Sequence, residues 1–171
     1  MSVLGYPTTR SIRTALIEVR SVQTKNSSSA RKEAAAALRL FGFKKLKIKE
    51  LCSIYKLEGS FSESDLKKIA EEILCDPVAQ KFFIDKSPPN SKTLFLDVWY
   101  KPGVADPVGD TILKAVREIE IFKIEKAFSG IRYELLLPNG SRVIEKEIKI
   151  FANRNLLNPL VQECKITTFS L

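Results

Sequence analysis

The second half of this 171-residue sequence repeats the first, and a repeating chain builds one supersecondary unit twice. Ala34, Ala37, Leu38 and Phe41 lie at the three- and four-residue steps of a helix face, and Ile112, Ala115, Val116 and Ile119 keep that spacing 78 positions on. Tyr55 recurs as Tyr133 at the same offset, inside the long strand-like runs FKKLKIKELCSIYKLEG and IFKIEKAFSGIRYELLL. Before the helices, LIEV matches FLDV, with Val19 aligned on Val98. Leu66, Ile69, Ala70 and Leu74 then align with Ile148, Phe151, Ala152 and Leu156 at an offset of 82, and LCDPVAQKFFI aligns with LLNPLVQECKI. The change of offset falls at the turn-forming PNGS, Pro138 to Ser141, where extra chain costs little.

Each half therefore reads strand, helix, long strand, helix, short strand. Ser62 and Asp65 have the spacing of a capping box at the start of a second helix. Pro77 and Pro159 close the equivalent helices, because a residue before proline is pushed from helical geometry. KSPPNSK, Lys86 to Lys92, reads as the linker. The expected modules are residues 1–87, with an N-terminal extension, and 88–171. The expected fold class is α+β: two tandem β-α-β-α-β modules, each a three-stranded antiparallel sheet with two helices, forming a pseudo-dimer. At about 80 residues apiece the modules are small for independent cores, so a shared interface is expected.

Composition narrows the chemistry. No histidine is present, which removes the commonest general base and zinc ligand. The sequence has no Walker-type loop, nucleophile elbow or paired-carboxylate motif. Cys52, Cys75 and Cys164 are scattered without CxxC spacing and read as small buried hydrophobes, with no catalytic residue and no metal site expected. No run reaches the roughly 20 apolar residues of a membrane span, and Met1 to Thr14 lacks a signal-peptide core, so a soluble cytoplasmic protein is expected. The net charge of +8 favours an acidic partner, either nucleic acid or protein.

YKPGVADPVGD, Tyr100 to Asp110, punctuates the second repeat. Asp106 suits an N-cap, Pro107 a first helical position, and Gly103 a turn conformation that other residues resist. Gly103 and Gly109 lack the spacing of a phosphate-binding loop. The first repeat has VQTKNSSSARKE there, with Ser28 or Ser29 available as a cap but no glycine and no Asp-Pro, so any docking role of the loop is asymmetric.

DVWYKPGVADPVGDTILKAV, the strand ending RYELLL and the terminal LLNPLVQECKI resemble the PurS-type small subunit of phosphoribosylformylglycinamidine synthase, and the N-terminal region of its large fused form. Lys101, Pro102, Gly103, Asp106, Pro107 and Gly109 match the family pattern KPGVxDPxG, and Asn158 and Pro159 its terminal Asn/Asp-Pro. Gly59, Asp76 and Pro77 carry the likeness in the first repeat, whose early loop departs from it. The similarity runs from about Ala15 to Ile166. It implies a non-catalytic subunit bridging the synthetase (PurL-type) and glutaminase (PurQ-type) chains, supporting ammonia transfer in purine synthesis. It also implies that ATP, magnesium and glutamine are used by those partners, with no cofactor in this chain. The alternative is a nucleic-acid-binding or small-ligand regulatory module.

Two further features complete the reading. Lys45, Lys47 and Lys49 share one strand face, opposite Leu46, Ile48 and Cys52, which reads either as a contact for nucleic acid or an acidic protein or, more commonly for lysines on a strand, as the protection of a solvated edge. Trp99, on the face opposite the core set Leu94, Leu96 and Val98, is either an interface anchor joining the docking loop or a cover for the neighbouring repeat's sheet.

Overall fold

The computed structural model describes residues 12–22, 29–85, 92–137 and 145–168. The first repeat supplies β1 (Arg13–Ser21), α1 (Ser29–Leu40), β2 (Lys47–Gly59), α2 (Glu63–Ile69), continued by a π-helical turn at Ala70–Leu74, and β3 (Gln80–Ile84). The second supplies β4 (Thr93–Tyr100), α3 (Pro107–Glu118), β5 (Ile124–Leu136), α4 (Glu145–Asn155) and β6 (Gln162–Thr168). The expected linker and PNGS turn, apart from Lys92, lie outside the described residues, as does Ser28. Among the described residues no helix is long and apolar enough to cross a membrane.

All six strands form one antiparallel sheet in the order β3-β1-β2-β5-β4-β6. The two repeats pair their strands in the same register. Val19 lies opposite Ser53 and Phe82, and its counterpart Val98 opposite Ile131 and Cys164. Where the halves meet, along β2 and β5, Ser53 faces Ile131, its own repeat counterpart. A pseudo-two-fold axis therefore passes through that pair, and the sheet is the expected pseudo-dimer closed within one chain.

The helices cover one face, and their first members change sides. One core joins Ala15, Ile17 and Val19 of β1 and Leu66 and Ile69 of α2 to Ile112 and Val116 of α3. The other joins Leu94, Leu96 and Val98 of β4 and Ile148 and Phe151 of α4 to Ala34 and Leu38 of α1. Each half-sheet is thus roofed by its own second helix and the other repeat's first helix. The repeat pattern gives each helix an apolar face but does not say which sheet that face meets; the burial pattern does.

The capping box forms as expected: Asp65 N–H donates to Ser62 Oγ at 3.1 Å, and Ser62 N–H to Asp65 Oδ2 at 2.8 Å. The lysine stripe is a correction. β2 is an interior strand rather than an edge, and Lys45 precedes it. A register shift between Ile48 and Glu50 inserts one residue, so Ile48 packs in the helix-side core while Cys52 lies opposite Arg132 on the other face. A bulge breaks strict alternation in just this way.

Candidate functional site

The face of the sheet away from the helices holds a buried charge network that sequence periodicity did not single out. Arg132 on β5 donates from Nε and Nη2 to the two Asp97 carboxylate oxygens at 2.7 Å each, and from Nη1 to Glu18 on β1. One guanidinium therefore ties the first strands of both repeats across β5 and β2. Arg20 donates to Glu18 at 2.7 Å and to Glu50 at 3.2 Å, and pairs with Glu134, which also meets Lys49 at 3.2 Å. Glu18, Arg20, Asp97, Arg132 and Glu134 are all buried. Burial opposes the charge of Arg132, but the hydrogen bond and charge of Asp97, then Glu18, outweigh it and raise its pKa. Burial also opposes the Arg20 charge, and the bond it donates to Glu18 with the charge of Glu134 outweighs it likewise. Among these pairs sits Cys52, whose thiol burial pushes up to about 12. The sequence signal was present: Glu18 and Asp97 are the aligned acids of LIEV and FLDV.

Asp97, Trp99, Arg132 and the loop after β4 line a groove of about 870 Å³ on this face, with Lys56, Lys126 and Lys165 also contributing. The loop itself is braced at both ends. Lys101 N–H donates to Val161 O at 3.0 Å and its Nζ to Pro159 O at 2.6 Å, which pins the loop to the turn before β6. Gly103 has φ +83° with open space around it, so backbone conformation is what requires glycine there.

Asp106 caps α3 through Gly109 N–H at 2.9 Å and accepts Ser129 N–H at 2.5 Å and Ser129 Oγ–H at 2.7 Å. It is buried, and it binds the helix start to β5 as well as capping it. Pro107 is the first helical residue. Gly109 permits the close approach of α3, since a Cβ there would lie 2.4 Å from Ala127 O. Lys101, Pro102, Gly103 and Asp106 thus share the groove wall, whereas Pro107 and Gly109 set the helix behind it. Trp99 lines the groove too, with its ring over Gly130 of its own repeat, where an added Cβ would meet it at 2.8 Å.

Among the described residues, the first repeat keeps the backbone bond at the start of this loop without the side-chain bond that Lys101 adds. Val22 N–H donates to Ala79 O at 2.8 Å, as Lys101 N–H does to Val161 O, but valine has no ammonium to reach the turn. Leu51 and Arg31 stand at the positions of Ser129 and Gly109. The turns before the last strands do repeat. Asp76 Oδ1 accepts Val78 N–H at 2.9 Å while Gln80 Oε1 accepts Asp76 N–H at 2.9 Å. Asn158 and Gln162 do the same for Leu160 N–H and Asn158 N–H, at 3.1 and 2.9 Å.

Fold and loop define a class: a tandem α+β pseudo-dimer in which one repeat carries a rigid, doubly braced surface loop. Residues 94–170, which span the second repeat, match the model of the PurS family, phosphoribosylformylglycinamidine (FGAM) synthase, so this repeat is similar to a PurS-type module. The match begins within β4 and takes in the braced loop, α3, β5, α4 and β6. It supports involvement in FGAM synthase and purine biosynthesis. None of the curated proteins compared with the chain matches it.

Proposed function

We propose that this chain is a non-catalytic assembly subunit of FGAM synthase. It bridges the ATP-dependent, PurL-type synthetase subunit and the PurQ-type glutaminase subunit, so that ammonia released from glutamine reaches the synthetase. ATP, magnesium and glutamine are used by those partners, and this chain holds no cofactor of its own. The proposed docking residues are Lys101, Pro102, Gly103, Asp106, Pro107 and Gly109, with Trp99 beside them.

The observation that carries this reading is the PurS match over the repeat whose KPGVADP loop is braced from both sides. A loop with its bonds already made loses little freedom on binding, which favours a docking surface. Tandem fusion adds a second reason, because only one of two linked modules needs to keep a given contact.

Purifying the tagged chain with its cellular partners tests the proposal. Synthetase and glutaminase subunits should co-elute, with an ultraviolet absorbance ratio typical of protein. Recovery of nucleic acid that is lost steeply with salt, without either subunit, contradicts it.

A further inference from the structure

The pseudo-two-fold axis relates two corners of the molecule that have the same backbone and opposite chemistry. Each lies where a repeat's first helix turns into its long strand. After α1, Phe41 N–H donates to Ala37 O, Gly42 N–H to Arg39 O and Phe43 N–H to Leu38 O. After α3, Ile119 N–H, Glu120 N–H and Ile121 N–H donate to Ala115 O, Arg117 O and Val116 O. The turns superpose bond for bond at the repeat offset.

Their side chains have diverged. The first corner presents Arg39, Lys44, Lys45 and Lys47, all exposed, around Leu40, which is 89% exposed. Its segment 39–47 carries four cations and no acid. None of Lys44, Lys45 and Lys47 meets a carboxylate among the described residues. The second corner has Glu118, Glu120 and Glu125 against Arg117 and Lys123, so its charge is −1.

Neither local folding nor packing accounts for the difference. Phe41 and Phe43 stack at 5.6 Å between centroids and both pack against Phe151. The basic corner is therefore held rigid from beneath, with Leu40 turned outward. Glu120 occupies the left-handed position at φ +64°, where the first corner has Gly42 at φ +107°. An acid stands where the backbone favours glycine, so local stability does not select the charge there.

We infer that the α1–β2 corner is the docking surface for a protein partner that presents an acidic patch with an apolar recess for Leu40, and that the α3–β5 corner takes no part in that contact. A solvent-facing leucine inside the cations, with the nearby aromatics Phe41 and Phe43 committed to packing, fits a protein surface better than a nucleic acid. The corner adjoins the start of β4 through the Lys47, Leu136 and Thr93 pairings, whereas the braced loop follows its end. An eight-residue strand separates the two by about 25 Å. Two partners can therefore be held at once. The inference rests on the bridging reading and adds to it: one of the two bridged subunits meets the chain at the basic corner.

The test uses the full chain, a K44E/K45E/K47E variant and an E118K/E125K control, each checked for native circular dichroism. Binding to purified synthetase subunit, purified glutaminase subunit and a 20-base-pair duplex is measured at 50 and 300 mM salt. The triple reversal is expected to weaken one subunit at least about tenfold at low salt and leave the other within about twofold. Wild-type binding to the affected subunit should fall with salt, and the control should match wild type. Unchanged binding to both subunits overturns the inference and leaves bridging intact, as does loss of duplex binding alone. Failure of the wild type to bind either subunit overturns the bridging reading and this inference with it.

Discussion

Asp106 and Arg132 show how single side chains in this molecule hold more than one element. Asp106 caps α3 and also satisfies the backbone and hydroxyl of buried Ser129. Asp106→Ala should lose about 2–4 kcal/mol, a cap plus a stranded buried donor, measured by urea unfolding. Arg132→Ala leaves Asp97 and Glu18 buried without their shared cation and should cost about 3–5 kcal/mol in the same measurement, whereas simultaneous Glu18→Gln and Asp97→Asn should recover part of it. Asp65 supplies a pH test. The Ser62 amide, then the Ser62 hydroxyl, holds its carboxyl below the ordinary range. A depressed folded value means that its stabilisation is present above the ordinary aspartate pKa and lost as pH falls through the lower folded one. The stability gap between wild type and Asp65→Asn should accordingly shrink on acidification. Among the thiols, Cys52 should react with a disulfide reagent after Cys75 and Cys164, because it alone is buried and its proton is held to about 12. At this scale the cap was legible in the sequence, since Asp-Pro before an apolar period has a local meaning. The Ser129 bonds and the Arg132 network were not, because their partners are 23 and up to 114 positions away.

The elements were legible because each follows from local pattern: helical steps in α1 and α3, the long strand-like runs of β2 and β5, and a capping box before α2. What the pattern concealed is the exchange of first helices and the bulge that turns Cys52 away from Ile48. Both depend on which surfaces meet, and a one-dimensional period does not record that. The exchange has a direct consequence. A chain of residues 1–87 lacks Ile112 and Val116 from its core, and a chain of residues 88–171 lacks Ala34 and Leu38. Neither half should be a folded monomer: each should be unfolded or self-paired by swapping its first helix, and mixing the two should restore a one-to-one complex in sedimentation. A stable monomeric half would refute the exchange. Glu120→Gly belongs to this scale as well. Relieving a non-glycine residue at φ +64° should stabilise the fold by about 0.5–1 kcal/mol, read as a higher urea midpoint.

The whole molecule is a pseudo-symmetric sheet with unequal ends. A homodimer of one module would carry two copies of every surface, whereas this chain has a braced KPGVADP loop in one repeat and a cationic corner contributed by the other. Unequal ends suit an assembly that joins two different partners. The loop's role can be separated from its fold at Gly103, which has open space around it and is needed for conformation alone. Gly103→Val should leave global stability within about 1–2 kcal/mol while impairing complex formation; full assembly by that folded variant would reduce the loop to a turn. The central claim is tested most directly by reconstitution. Purified synthetase and glutaminase subunits are mixed with and without this chain, and both complex size and ATP-dependent FGAM formation are measured, with glutamine or free ammonium as nitrogen donor. The account predicts that glutamine-driven synthesis and a three-component complex require the chain, whereas ammonium-driven synthesis by the synthetase does not. Equal glutamine-driven rates and a stable two-component complex in its absence would contradict it.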